Sequence, residues 1–150
     1  MLEALGQAAS RGPVGVAGEG RIAELTRRVL AAHGVEPVMV AGDCWLDAVV
    51  ETRLDAQTLA ASTAALRPGG TLVLKSRAPE PVSLDVGALQ RRGVVVRAVG
   101  PGSFSDAVAL LASGRLAVSD LAAAPVPPEA FAAAFANGGC EVRKALFTFG

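Results

Sequence analysis

Apolar positions follow two regimes along this chain: short unbroken runs, and longer stretches where they recur every three or four residues. The first regime predicts strands at Val14–Ala17, Pro37–Ala41, Leu46–Glu51, Thr71–Lys75, Gly93–Val99 and Val142–Phe149. The second predicts helices. Ile22, Leu25 and Val29 mark one that Gly34 stops, and a short one covers Leu2 to Ala9 before the Arg11-Gly12-Pro13 break. Asp55 is placed to cap a helix through Leu59, Thr63 and Leu66, after which Pro68-Gly69-Gly70 turns the chain. Residues 84–92 form a short helix. Ser103 and Asp106 have capping-box spacing ahead of Phe104, Val108 and Leu111, and Gly114 closes that helix. Pro127-Pro128-Glu129 opens a last one, with Phe131 and Phe135 on one face and Asn137-Gly138-Gly139 as its stop.

Strands alternating with helices imply parallel βαβ units with helices on both faces of one sheet. The expected fold is therefore α/β, a three-layer Rossmann-like domain spanning residues 1–150, with a mostly parallel sheet of five to six strands. The apolar runs suit strands buried on both faces.

Composition narrows the function classes. The 150 residues carry 14 basic and 14 acidic side chains, so the basic excess expected of a nucleic-acid binder is missing. Arg27-Arg28 and Arg91-Arg92 are the densest basic clusters, and both read as solvated helix faces. No apolar run approaches the roughly 20 residues that span a bilayer, and no signal-peptide pattern opens the chain. The expected setting is the cytoplasm, without membrane association. Two cysteines, Cys44 and Cys140, are too few for a disulfide framework and have no metal-ligand spacing.

The chemistry sits in one motif. Gly18-Glu19-Gly20-Arg21-Ile22-Ala23 fits G-x-G-x-x-A between the first strand and its helix. Gly18 allows the tight turn, Gly20 lets the backbone approach a pyrophosphate, and Ala23 permits close helix–strand packing. The helix N-terminus then offers amides and a positive dipole end to the phosphates. The same sequence also fits a tight turn that binds nothing. Asp43 is the one candidate for the acid that holds a ribose hydroxyl, or it is a turn residue, so NAD and NADP both stay open. Arg21 could meet a 2′-phosphate, but solvent is the preferred reading. Carboxyl ends of parallel strands line the ligand crevice, which nominates Glu51-Thr52-Arg53, Lys75-Ser76-Arg77 and Val99-Gly100-Pro101-Gly102 as further walls. Thr52 and Ser76 are candidates for the nicotinamide ribose or carboxamide, Lys75 for a phosphate or a substrate oxyanion. No catalytic residue is assigned: His33, the single histidine, lies at a helix end, and without tyrosine there is no Tyr-x-x-x-Lys pair. No zinc-ligand set is present.

Several ordered segments resemble the medium-chain dehydrogenase/reductase superfamily, of the zinc-type alcohol dehydrogenase branch. They are Leu46–Thr52, the helix–PGG–strand unit Ala65–Ser76, Phe104–Leu116 with its Ser-Gly-Arg end, Val126–Phe135, and the closing Arg143–Phe147. With Val14–Gly34 they cover nearly the whole chain. The resemblance implies the cofactor-binding domain of an NAD(P)-dependent oxidoreductase. It departs in two ways. The barrel-like catalytic domain that supplies the family's zinc ligands is absent, so the domain would work either with a separate catalytic partner or alone by hydride transfer. One αβ unit is also missing where Asp43-Cys44-Trp45 bridges directly, at the adenosine end, and Trp45 is placed to cover the exposed edge. The family's dimers pair through the strand matching Gly93–Val99, which implies a homodimer. Two alternatives remain: a non-catalytic nucleotide sensor or dimeric interaction module, and a methyltransferase using S-adenosylmethionine. The segments from Phe104 onward argue against the methyltransferase.

Overall fold

The computed structural model describes residues 1–6, 12–40, 45–78, 80–136 and 143–149. Its elements in chain order are α1 (Leu2–Leu5), β1 (Val14–Ala17), α2 (Gly20–Ala32), β2 (Pro37–Met39), β3 (Leu46–Glu51), α3 (Ala56–Ala65), β4 (Leu66–Leu74), α4 (Val86–Arg91), β5 (Val95–Ala98), α5 (Phe104–Ala112) and α6 (Phe131–Phe135). Single 3₁₀ turns at Ser119–Leu121 and Pro128–Ala130 join the last two helices.

The five strands form one sheet in the order β2-β1-β3-β4-β5, with every neighbouring pair parallel. The familiar dinucleotide-binding order is 3-2-1-4-5-6. Removing strand 3 from it and renumbering gives this order. The expected deletion is thus visible as a sheet that stops one strand early beside β2. The same order puts the topological switch point between β1 and β3, because the chain leaves β1 toward β2 and returns on the other side.

β1 and β3 are buried along their whole length, as central parallel strands must be. Each sheet face has its own core. Val14, Val16, Ala48, Val50 and Val73 pack under Ala23 and Leu30 of α2 and Leu5 of α1. Ala17, Leu46, Val49 and Leu72 pack under Leu59 and Ala65 of α3. Capping follows the sequence reading: Asp55 accepts from the Thr58 amide at 2.7 Å and Ser103 from the Asp106 amide at 3.2 Å.

Several expectations are corrected. The buried stripe of α2 is Ala23, Thr26 and Leu30, while Ile22 lies exposed and Leu25 and Val29 half-buried. The sheet pulls the small residue of the glycine motif inward, which rotates the whole stripe by one position. Pro68-Gly69-Gly70 does not precede β4 but lies inside it as a bulge: Leu46 pairs with Leu66 and Ala48 with Thr71, and Gly69 takes φ +74°. β2 and β5 are edge strands with exposed side chains. Trp45 is 72% exposed and so does not cover an edge. The expected sixth strand is not seen among the described residues: 143–149 makes only isolated bridges, Ala122 with Lys144 and Val126 with Phe147. Phe147 instead stacks with Phe131 and Phe135.

The apolar face expected on α5 is not covered by the described residues. No residue of α5 is buried, and Phe104 is 84% exposed. The neighbouring segment is nevertheless anchored. Arg28 donates two bonds of 2.6 Å to Asp120 and one of 2.9 Å to the Ala117 carbonyl, and Arg115 donates to the Ala32 carbonyl. Arg28 is therefore a clamp, not a solvated face. Arg92 likewise donates to the carbonyls of Thr63 and Leu66.

Candidate functional site

β1 ends in a turn that only glycine fits. Gly18 has φ +106° and Gly20 φ +80°. A Cβ on Gly18 would lie 2.6 Å from the Thr52 hydroxyl oxygen and 3.2 Å from the Arg53 Cβ. Ala23, the last motif position, is wholly buried in the core under α2. Glu19 is the N-cap of α2 but makes no side-chain capping bond, and the first turn holds no other acid. No side chain caps the start of this 13-residue helix, where its positive dipole end lies. The turn is braced from behind, since Arg27 donates to the Gly18 carbonyl at 3.3 Å. Sequence reasoning took Arg27 for a solvent-facing residue. Its place one turn on from Ala23, on the same helix face, was the available signal.

Across the switch point, the tips of three strands are tied together. The Thr52 hydroxyl donates to the Ala17 carbonyl at 2.8 Å, and the Thr52 amide donates to the same oxygen at 2.9 Å. Glu51, the last residue of β3, is fully buried. Its carboxylate accepts from the Ser76 hydroxyl and, at 3.4 Å, from the Ser76 amide. Lys75 is half-buried, and desolvation lowers its pKa below the ordinary lysine value while the negative charge of Glu51 opposes that shift. Gly100, past β5, has open space where a Cβ would stand.

The sequence-derived candidates thus fall along one edge. Gly18, Glu19 and Gly20 form the turn, Thr52 closes its floor, and Lys75 and Ser76 follow at the next strand. Gly100 ends the row two strands from β1's neighbour. Arg21 and Ile22 lie on the first turn of α2, Ile22 exposed and Arg21 half-buried. Asp43 lies outside the described residues, as do Cys44 and Cys140. His33 places Nδ1 2.9 Å from the Val29 carbonyl at the end of α2, away from the strand tips. Sequence reasoning named Glu51 only as part of a wall and missed its partnership with Ser76, which is 25 residues away. No three or more His, Cys, Asp or Glu side chains among the described residues come together as a metal site. No described helix is long and apolar enough to cross a membrane.

A cavity of about 950 Å³ lies away from this edge. It is an apolar groove between α2 and α5, with Leu25, Val29, Leu110, Leu111, Leu116 and Leu121 in its walls, and it touches the glycine motif only at Arg21. We take the strand-tip edge as the site, because phosphate chemistry needs amides and turns rather than apolar walls.

No protein-family model matches the chain. In sequence it is 34% identical over 103 residues to a protein of Agrobacterium fabrum (strain C58) provisionally named D-xylulose reductase, a match covering 67% of this chain and 29% of that one. In structure it is similar to L-idonate 5-dehydrogenase of Escherichia coli K-12, with TM-score 0.80 at 15% identity over 98% of this chain and 52% of that chain. RspB of E. coli CFT073, described as a short chain alcohol dehydrogenase and complexed with NADH, superposes with TM-score 0.77 at 13% identity over 99% of this chain and 56% of that one. S. aureus TarJ in complex with NADPH gives 0.74 at 14% identity over 94% and 57%. The chain spans under a third of the curated relative and about half of each solved chain. The resemblance read from the sequence is thus shown, and the fold is that of one half of these dehydrogenases.

Proposed function

We propose that this chain is the cofactor-binding half of an alcohol-dehydrogenase-like oxidoreductase of the medium-chain type, holding NAD or NADP at the carboxyl edge of its sheet. One observation carries the reading: a turn closed to any side chain at Gly18, followed by a helix start without a side-chain cap, lies at the topological switch point. The residues fit the diphosphate. Gly18, Glu19, Gly20 and the first turn with Arg21 and Ile22 would hold it, and Thr52, Lys75, Ser76 and Gly100 would face the nicotinamide end. Asp43 is the candidate for the adenosine ribose. Bound there, the nicotinamide supplies hydride transfer, and the chain supplies position and field.

The substrate-binding and proton-transfer groups belong to another half. Two facts support this: the similar solved chains are about twice as long, and no residue of α5 is buried, its Phe104, Val108 and Leu111 lying exposed. We propose a catalytic protein or domain of the zinc-dehydrogenase type as its partner. We further propose a homodimer through the open edge of β5, whose four exposed residues are Val95, Val96, Arg97 and Ala98. Two cysteines in 150 residues give no disulfide framework, which supports a cytoplasmic setting.

Thermal unfolding with NAD, NADP or S-adenosylmethionine tests the reading. At 100 times Kd a ligand adds about 2.7 kcal/mol, which for a domain of this size raises Tm by roughly 5–11 °C. A rise with either dinucleotide and none with S-adenosylmethionine is expected. A rise with S-adenosylmethionine alone, or with none at millimolar concentration, overturns the proposal.

A further inference from the structure

We infer that Glu51 is a positioning residue that fixes Ser76 as a hydrogen-bond acceptor toward the carboxamide of the nicotinamide ring; the inference rests on the dinucleotide reading above. A wholly buried carboxylate at the end of an otherwise apolar strand is expensive. The sheet does not need it, since the β3–β4 ladder already closes with the Glu51–Leu74 pair. The carboxylate reaches past that pair to Ser76, two residues beyond the strand, and engages both its hydroxyl and its amide. The Ser76 hydroxyl donates to Glu51, so its proton is engaged there and its oxygen keeps lone pairs for another donor. Such an atom matches the amino group of a carboxamide and discriminates against a ring bearing a methyl ketone in its place. At the adjacent Lys75, desolvation lowers the pKa and the charge of Glu51 opposes that shift.

The test compares NAD with its 3-acetylpyridine analogue, which has no amino group, and with ADP-ribose, which has no ring. Kd is measured by calorimetry on the full chain and on S76A, E51A and E51Q. Wild type is expected to bind NAD about tenfold tighter than the analogue, one hydrogen bond's worth. S76A and E51A bring that ratio to about one while Kd for ADP-ribose stays within twofold. In E51Q the side-chain amide donates to the Ser76 oxygen, frees the hydroxyl proton and reverses the preference toward the ketone. S76A alone carries the test where a Glu51 variant does not fold. A wild-type ratio near one, or an unchanged ratio in S76A, overturns the inference while leaving the dinucleotide reading intact. Failure of wild type to bind NAD and ADP-ribose alike overturns both.

Discussion

Replacing Gly18 by alanine puts the central geometry to a quantitative test. Two penalties arise together. The residue sits at φ +106°, outside the left-handed basin that L-residues tolerate, which costs about 1–3 kcal/mol. Its new methyl group would lie 2.6 Å from the Thr52 oxygen, and that hydroxyl is held in place by the Ala17 carbonyl. Forcing a methyl into such a site costs about 1–3 kcal/mol more. The sum, about 2–6 kcal/mol, is a large share of the roughly 5–15 kcal/mol that holds a domain folded. Tm should fall by at least about 4 °C. A double-mutant cycle with T52A separates the two penalties, because removing the hydroxyl relieves the collision and leaves the backbone strain. The expected coupling is about 1–3 kcal/mol. A G18A variant melting within about 1 °C of wild type, or strict additivity with T52A, would refute the closed turn.

Glu19 is the N-cap of α2, at the proposed phosphate site, where its charge would compete with the ligand's; E19Q should tighten dinucleotide binding by about two- to fivefold, equivalent to about 0.3–1 kcal/mol, and calorimetry showing weaker or equal binding would contradict this. The Arg28 hydrogen bonds hold the Asp120 carboxyl at about 2, below the ordinary aspartate value of about 3.9. Because the folded value is the lower one, the clamp stabilises fully above about pH 4 and fades as pH falls toward 2. The Tm gap between wild type and D120N should therefore be constant from pH 5 to 7 and close on acidification; a gap independent of pH down to 2 would count against the clamp. V96K, which blunts the β5 edge, should shift sedimentation from dimer to monomer while changing stability by about 0.5 kcal/mol or less, and an unchanged sedimentation coefficient would remove β5 from the interface.

The features legible in the sequence were those set by neighbours close along the chain. The glycine turn, the Asp55 and Ser103 caps and the apolar β1 and β3 depend on spacing of a few residues, and they appear where the pattern put them. The missing strand was legible as a shortfall between Val40 and Leu46. What the pattern could not show depends on distant partners. Arg28 meets Asp120 across 92 positions, and Ser76 meets Glu51 across 25. Long or polar side chains of this kind look like surface until the fold supplies a partner. The outward face of α5 misled for the opposite reason: its apolar period is real, but no residue of the helix is buried. The closing segment has the composition of a strand, yet its Phe147 packs on α6 instead of entering the sheet.

Losing one strand leaves the sheet with two unequal margins, and their inequality governs how copies of the molecule can add to one another. If a β5 edge met a β2 edge, each union would expose a fresh pair of margins and growth would run on as a fibre. β2 resists this: it is three residues long and opens with Pro37, which has no amide hydrogen to give. β5 meeting its own twin is self-limiting, because the twofold axis consumes both margins at once. The truncation that brought β2 to the rim thus left there a margin too short and too poor in donors to polymerise.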